Sequence, residues 1–365
     1  MKKARLFYQV LALGVFAIAA IMYTGCTKDG PTGPAGADGT DGVDGTDGTA
    51  SCIVCHNQTP LIKNAVAQFE LAKHAGLVGF AAPRADCSGC HSGEGATKWL
   101  RDEITFDRTD LTFNYEVDFP NPMDCRTCHQ VHTNFDLTDL EPVHPETFNL
   151  ISRNQAFSKG DINTCVKCHQ TKYVIPAVDG GDFEITSDRW GAHHSTQGNL
   201  RHYDGFEIAG DATYVKEHPH DAGNCIGCHM AEPEGNLRGG HTFSVADNDE
   251  QTGEFTDLNY NACKACHTNG EDALLAKMND LRERIDAKAD ELRTELLRVG
   301  ILYVVGGDDR IRELTFPANE AGIYYNYKAV HEDHSGGAHN PVYIEALLVN
   351  SLQFAKTLPD NKYTD

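Results

Sequence analysis

Six pairs of cysteines, each followed directly by a histidine, carry the chemistry available to this chain. They are Cys52-x-x-Cys55-His56, Cys87-x-x-Cys90-His91, Cys125-x-x-Cys128-His129, Cys165-x-x-Cys168-His169, Cys225-x-x-Cys228-His229 and Cys263-x-x-Cys266-His267. Two thiols at this spacing add to the vinyl groups of one porphyrin, and the adjoining imidazole reaches the iron as proximal ligand. A lone Cys-x-x-Cys pair reads equally as zinc ribbon, redox dithiol or disulfide. With 18 histidines in 365 residues, a histidine after all six pairs has chance odds on the order of 10⁻⁸. Zinc would also ask for the pairs two by two, with no reason for a histidine after every second cysteine. The expectation is six covalently attached haem c groups.

Each iron then needs a sixth ligand. The remaining histidines are His74, His132, His144, His193, His194, His202, His218, His220, His241, His331, His334 and His339. Methionine, the other common axial ligand, is limited to Met123, Met230 and Met278 beyond the amino-terminal Met1 and Met22. Methionine cannot cap six irons, whereas histidine can do so twice over. Mostly or wholly bis-histidine, low-spin, low-potential centres follow.

His132 stands three residues after His129, in a Cys-x-x-Cys-His-x-x-His arrangement common in multihaem cytochromes. The segments Trp190-Gly-Ala-His-His-Ser-Thr-Gln-Gly-Asn199, Gly239-Gly-His-Thr-Phe243 and Asp333-His-Ser-Gly-Gly-Ala-His-Asn-Pro341 resemble those of the superfamily that holds ammonia-forming cytochrome c nitrite reductase and hydroxylamine oxidoreductase. The resemblance runs over roughly residues 51 to 355. It implies distal ligands at His132, at His193 or His194, at His241 and at His339. His218 also sits where that family often has a ligand, with its neighbour His220 as rival, and His74 completes the set. His144, His202, His331 and His334 are left as surface or propionate-contacting residues. The chain departs from the nitrite reductases in one respect: every motif ends in histidine, so their Cys-x-x-Cys-Lys catalytic haem is absent. A tyrosine cross-link of the hydroxylamine oxidoreductase kind is flagged by no residue.

The motifs begin at residues 52, 87, 125, 165, 225 and 263, and a stretch of about forty residues cannot build an apolar core of its own. Porphyrin is expected to supply much of the buried surface, in keeping with a composition only 8% aromatic. The fold expected is mainly α with much irregular structure, wrapped around a haem array, with long carboxy-terminal helices and little or no sheet. Residues 51–270 bind the six haems and residues 271–365 complete the same domain. From Glu271 to Arg298, Leu274, Met278, Leu281, Ile285, Leu292 and Leu296 recur at helical spacing, ended by Gly300. This helix packs along the array or, by the nitrite reductase resemblance, lies at a dimer interface. A shorter helix is expected over 318–329, and a last one opens with Asn340 as cap and Pro341 at its first position.

The amino terminus accounts for the thirteenth cysteine. Met1 to Arg5 is basic, Leu6 to Met22 is apolar but for Gln9, and Tyr23-Thr24-Gly25-Cys26 follows. This reads as an export signal over residues 1–25. Cys26 after Gly25 resembles the lipobox at which bacterial lipoproteins are acylated, although Tyr23 stands where leucine or valine is usual. A retained transmembrane anchor would want a longer run. Glycine then recurs every third residue from Gly30 to Gly48, a collagen-like repeat. Residues 26–50 are read as a lipidated tether of roughly 60 Å if extended, with local trimerisation as the alternative.

The net charge of −22 argues against nucleic acid and against docking on anionic lipid. The reading is an exported cytochrome, lipid-anchored to the outer membrane on its periplasmic face or at the cell surface. It passes electrons between redox partner proteins in respiratory or extracellular electron transfer. Electron transfer is preferred to catalysis because histidine is so plentiful. The alternatives are an oxidoreductase acting on a small nitrogen or sulfur compound at one open haem, and a subunit of a polymeric cytochrome wire.

Overall fold

In the computed structural model, which describes residues 55–56, 60–76, 78–234 and 237–364, the attachment motifs close on themselves as single helical turns. The histidine amide donates to the carbonyl of the first cysteine at His91 (3.0 Å), His129 (2.9 Å), His169 (2.8 Å) and His267 (2.9 Å). Residues i, i+3 and i+4 of such a turn share one face, so both sulfurs and the imidazole look the same way. The surrounding one-turn helices are Ser88–His91 (α2), Cys125–Cys128 (α4), Asn163–Val166 (α5) and Cys225–His229 (α7). Asp124 and Asn224 cap two of them, accepting from the amides of Arg126 and Gly227. Three further helices, Pro60–Phe69 (α1), Gly93–Leu100 (α3) and Gln197–Arg201 (α6), lie between motifs. The export signal, Cys26, the glycine repeat and Cys52 lie outside the described residues.

The expectation of a mainly α fold with little or no sheet is overturned by five two-stranded antiparallel ladders. Phe106–Asp107 (β1) pairs with Thr112–Phe113 (β2), and Phe148–Asn149 (β3) with Ala156–Phe157 (β4). Asp182–Glu184 (β5) pairs with Thr315–Pro317 (β10), Ala246–Asn248 (β6) with Phe255–Leu258 (β7), and Leu302–Val305 (β8) with Asp308–Ile311 (β9). Four of the five are local hairpins, through which short connections between helices satisfy their own backbone. Aromatic cross-strand pairs hold the smallest: Phe106 meets Phe113 with ring centres 4.9 Å apart, and Phe148 meets Phe157 at 5.4 Å.

The carboxy-terminal helices are Glu271–Val299 (α8), Ala318–Asp333 (α9) and Pro341–Ala355 (α10). Ile285, Ala289, Leu292, Leu296 and Val299 of α8 are buried in one cluster with Tyr324, Tyr325 and Tyr327 of α9 and Tyr343, Ile344, Leu347 and Leu348 of α10. Trp190, Leu200 and Phe206 join it from the haem-motif region. Here the protein supplies its own core, more than the sparse aromatic content foretold. The other clusters are small, one around Phe148, Ile162 and Val166 and one around Trp99, Ile104 and Phe113. α8 stops at Gly300, whose φ of +86° lets its amide reach the carbonyls of Leu296 and Leu297. Pro341 opens α10 as expected, but Asn340 makes no capping bond. Its side-chain amide points instead to the carbonyl of Leu200 at 3.5 Å. Among the described residues no helix is long and apolar enough to cross a membrane.

Candidate functional site

Each of the six motif histidines faces a second imidazole brought from a distant part of the chain. Ring centres are 6.1 Å apart for His56 and His132, 6.3 Å for His91 and His193, and 6.1 Å for His129 and His241. They are 6.0 Å apart for His169 and His74, 6.2 Å for His229 and His339, and 6.2 Å for His267 and His220. A first-row metal ion sits about 2 Å from an imidazole nitrogen, so two rings gripping one ion are centred roughly 6.3 Å apart. All six separations fall within a few tenths of an ångström of that value. The residues present therefore fit a flat iron macrocycle held between two imidazoles.

Seven of the paired rings are held toward the neutral imidazole that ligation needs, whereas at His339 burial is outweighed by the Asp333 carboxylate, which raises it. Burial, with His169 nearby, pushes His74 down to about 4, and burial with Lys172 nearby does the same to His193. His91, His169, His220, His229 and His241 are likewise lowered, burial leading in each. None of the described cysteines is in a disulfide. Among the described residues, no group of three or more His, Cys, Asp or Glu side chains is arranged to hold a metal ion.

The chain fixes each distal ring by local means. His74 lies on the turn Lys73–Ala75 just beyond α1. From α1, the buried Gln68 accepts the amide of His241 at 3.0 Å, so one helix steadies two distal ligand positions. Before His241, Gly239 holds φ +78°, and a Cβ there would lie 2.3 Å from Asn259 Nδ2. His132 sits at φ +67°, in a loop whose amides at Thr133, Asn134 and Phe135 donate to the Asp139 carboxylate at 3.1, 2.7 and 3.0 Å. His339 immediately precedes Asn340 and α10, and its Nδ1 donates to Asp333 at 2.7 Å.

Two positions left open by sequence separate here. The ring facing His91 is that of His193. His194 turns away onto the buried carboxylate of Glu332, whose hydrogen bond raises it toward the charged form. The ring facing His267 is that of His220. His218 faces no motif histidine; its Nδ1 accepts the amide of His220 at 3.2 Å. His144 pairs with Asp161 at 3.3 Å, and His331 and His334 approach Glu332 at 3.5 and 3.9 Å. His202 packs on Phe157 with its Nε2 buried and unpartnered.

Neighbouring pairs touch. His129 and His132, three residues apart, belong to different pairs. The Phe243 ring meets His74 at 5.0 Å and His241 at 6.0 Å, while its carbonyl accepts His229 Nδ1 at 2.8 Å. Ser195 Oγ lies 2.8 Å from the carbonyl of His193 and 2.7 Å from that of Gln170, the residue after His169. His220 Nδ1 lies 3.2 Å from the carbonyl of Ala338, the residue before His339. The six pairs thus form one connected group. Phe243 carries no chemistry of its own and gave sequence reasoning no signal.

Comparison with known proteins agrees with this chemistry. Residues 152–295 match the family described as outer membrane cytochrome MtrC/MtrF-like, domains II/IV. C-type polyheme cytochrome OmcB of Geobacter sulfurreducens is 22% identical over 338 residues, covering 75% of this chain and 44% of that protein. OmcC of the same organism is 24% identical over 343 residues, covering 75% and 43%. The chain spans less than half the length of these curated relatives. Among solved structures, the outer cell wall cytochrome OcwA aligns with a TM-score of 0.47 and 17% identity, over 80% of this chain and 50% of that one. The chain is similar to multihaem c-type cytochromes of this kind. None of these matches carries the resemblance to nitrite reductase and hydroxylamine oxidoreductase.

Proposed function

We propose that this chain is an exported six-haem cytochrome c that carries electrons in extracellular electron transfer. It is held on the outer membrane by acylation at Cys26, with residues 26–50 as tether and residues 51–365 as the electron-carrying domain. One observation carries the reading: six motif histidines, six facing histidines, and a separation of 6.0 to 6.3 Å in every case. The twelve motif cysteines would hold the porphyrins, and the twelve paired imidazoles would ligate the irons. When bound, haem c supplies a one-electron couple at iron.

The chain's residues do the rest. Two opposed rings leave no open coordination position for a small substrate, which favours carriage over catalysis. Opposed imidazoles held by the chain would serve both oxidation states of a bound haem with little reorganisation. Segments shared between neighbouring pairs, the one carrying His129 and His132 and the turn at Phe243, would set the bound haems beside one another for electron exchange. The acidic surface keeps a densely loaded protein soluble, and redox proteins serve as donor and acceptor.

The test is a count of iron with its spin state in the purified protein. Six haems per chain, all low-spin ferric by low-temperature electron paramagnetic resonance, are expected. A high-spin ferric signal in the native protein would overturn the carrier in favour of an oxidoreductase with one open haem.

A further inference from the structure

The six pairs are not equivalent in what their outer ring nitrogens bond. His229 donates to the carbonyl of Phe243 at 2.8 Å, His220 to that of Ala338 at 3.2 Å, and His129 lies 3.4 Å from that of Glu141. His169 lies 3.2 Å from the side-chain oxygen of Gln197. These are neutral acceptors. His339 alone among the described pairs gives its Nδ1 proton to a carboxylate, that of Asp333, at 2.7 Å. Asp333 is 3% exposed. Its other oxygen accepts from Ser335 Oγ, and among the described residues its one ion pair is with His339 itself. It closes α9, where the helix dipole adds negative potential.

Ligation through Nε2 leaves the ring proton on Nδ1. A neutral acceptor there only fixes the tautomer. A buried carboxylate draws the proton toward itself and leaves the ring with imidazolate character, a stronger donor to iron. The same fixed negative charge, screened by little solvent, favours the ferric over the ferrous state. We propose that Asp333 is a positioning and tuning residue that makes His339 the most electron-rich axial ligand of the array and draws down the reduction potential of the His229/His339 centre. An electron arriving from another centre is then less favoured there than it would be without the carboxylate. The inference rests on reading the facing pairs as axial ligands.

Asp333→Asn keeps an oxygen to accept the Nδ1 proton and removes the charge. In a spectropotentiometric titration of the intact holoprotein, one of six components should move to higher potential. The shift should be about tenfold in that centre's reduction equilibrium, or about 59 mV for one electron. Near-infrared magnetic circular dichroism gives an independent readout that a merely structural role would not move. One component of the ferric charge-transfer band should lie at shorter wavelength in the native protein and join the others in Asp333→Asn. Ser335→Ala, which removes the competing donor, should shift the same component the opposite way, and it keeps the test alive if the asparagine variant fails to load haem. His339→Ala separates the two readings. If it yields no high-spin centre, the ligand pairing falls. If it does, yet Asp333→Asn and Ser335→Ala leave all six potentials and the near-infrared band unchanged, the role of Asp333 is overturned while the pairing stands.

Discussion

His193 and His194 are adjacent, both left-handed with φ of +33° and +38°, yet only one faces a motif histidine. Replacing each with glycine separates ligand from neighbour. Relief of a left-handed non-glycine backbone favours either variant by about 1–2 kcal/mol, less about 0.5–1 kcal/mol for the added freedom of glycine in the unfolded chain. His194→Gly also loses its bond to Glu332. The His194 side chain is 72% exposed, so that pair contributes at most about 1 kcal/mol. Glu332 keeps Lys328 at 2.6 Å and His331 at 3.5 Å. The sum for His194→Gly lies between about −1 and +1.5 kcal/mol, and all six irons should stay low-spin. His193→Gly should instead convert one iron in six to high-spin, and added imidazole, entering the space left by the ring, should restore it. Low-temperature electron paramagnetic resonance with haem quantitation reads both outcomes. A high-spin signal from His194→Gly would refute the assignment. So would low-spin spectra throughout from His193→Gly and from the double variant, which removes any chance of His194 moving in.

Three further outcomes follow from the packing and charge pattern. Leu292 is fully buried in the carboxy-terminal core, so Leu292→Ala should cost about 2–5 kcal/mol, read as a fall in Tm with haem spectra unchanged. Arg238 bonds Asp247 at 2.6 Å and Asp257 at 2.8 Å, residues directly opposite each other on β6 and β7. Arg238→Ala leaves two like charges facing and should loosen the hairpin by about 1–2 kcal/mol, seen as faster proteolysis at residues 249–254 that added salt partly reverses. Burial alone would raise the carboxyl of Asp86, but Arg84 and Lys172 hold it at about 2 against an ordinary 3.8. The sign follows: its stabilisation is complete above pH 3.8 and is lost as pH falls toward 2. Asp86→Asn should cost about 1 kcal/mol at neutral pH after solvent screening, with the difference from wild type vanishing below pH 2 in acid unfolding curves.

The sequence announces what is local and conceals what is not. Attachment needs only residues i, i+3 and i+4 of one turn, so the motifs are complete in five letters. Which histidine lies opposite depends on residues far along the chain. Glu332 takes His194 out of contention for His91 from 138 positions away. His218 spends its Nδ1 on the turn that presents His220, a use no spacing rule distinguishes from ligation. The long helix over 271–299 and its stop at Gly300 were legible because seven turns of periodicity average out local noise. Strands of two to four residues have too short a period to read. One hairpin did carry a signal: Val305-Gly306-Gly307-Asp308, with φ of +61° and +95° at the glycines, is a turn that links paired strands. Asn340 shows the opposite error, a good capping residue drawn away by a tertiary partner.

Stability is divided unevenly along this chain, and the division bears on how it works. Residues 271–355 pack leucines and tyrosines against one another and against Trp190 and Phe206, a core that needs no cofactor. Among the described residues, 60–170 contribute the small clusters around Trp99 and Phe148, and facing imidazoles recur there. Four of the six pairs draw their motif histidine from His56, His91, His129 and His169. On the proposed ligation, iron bridging each pair would join distant segments and so couple ligation to the folding of that half. The carboxy-terminal half supplies His339 from a rigid setting, one residue before α10 and tied to the end of α9. His339, and His193 directly after the buried Ala192, are thus the distal positions tied to the protein's own core. Reducing agents and chelation aside, native-state hydrogen exchange should find α8 and α10 protected to the global limit, and the segments around His74 and His132 opening at lower free energy. Uniform protection across both halves would mean that the clusters around Trp99 and Phe148 stabilise far more than their size allows.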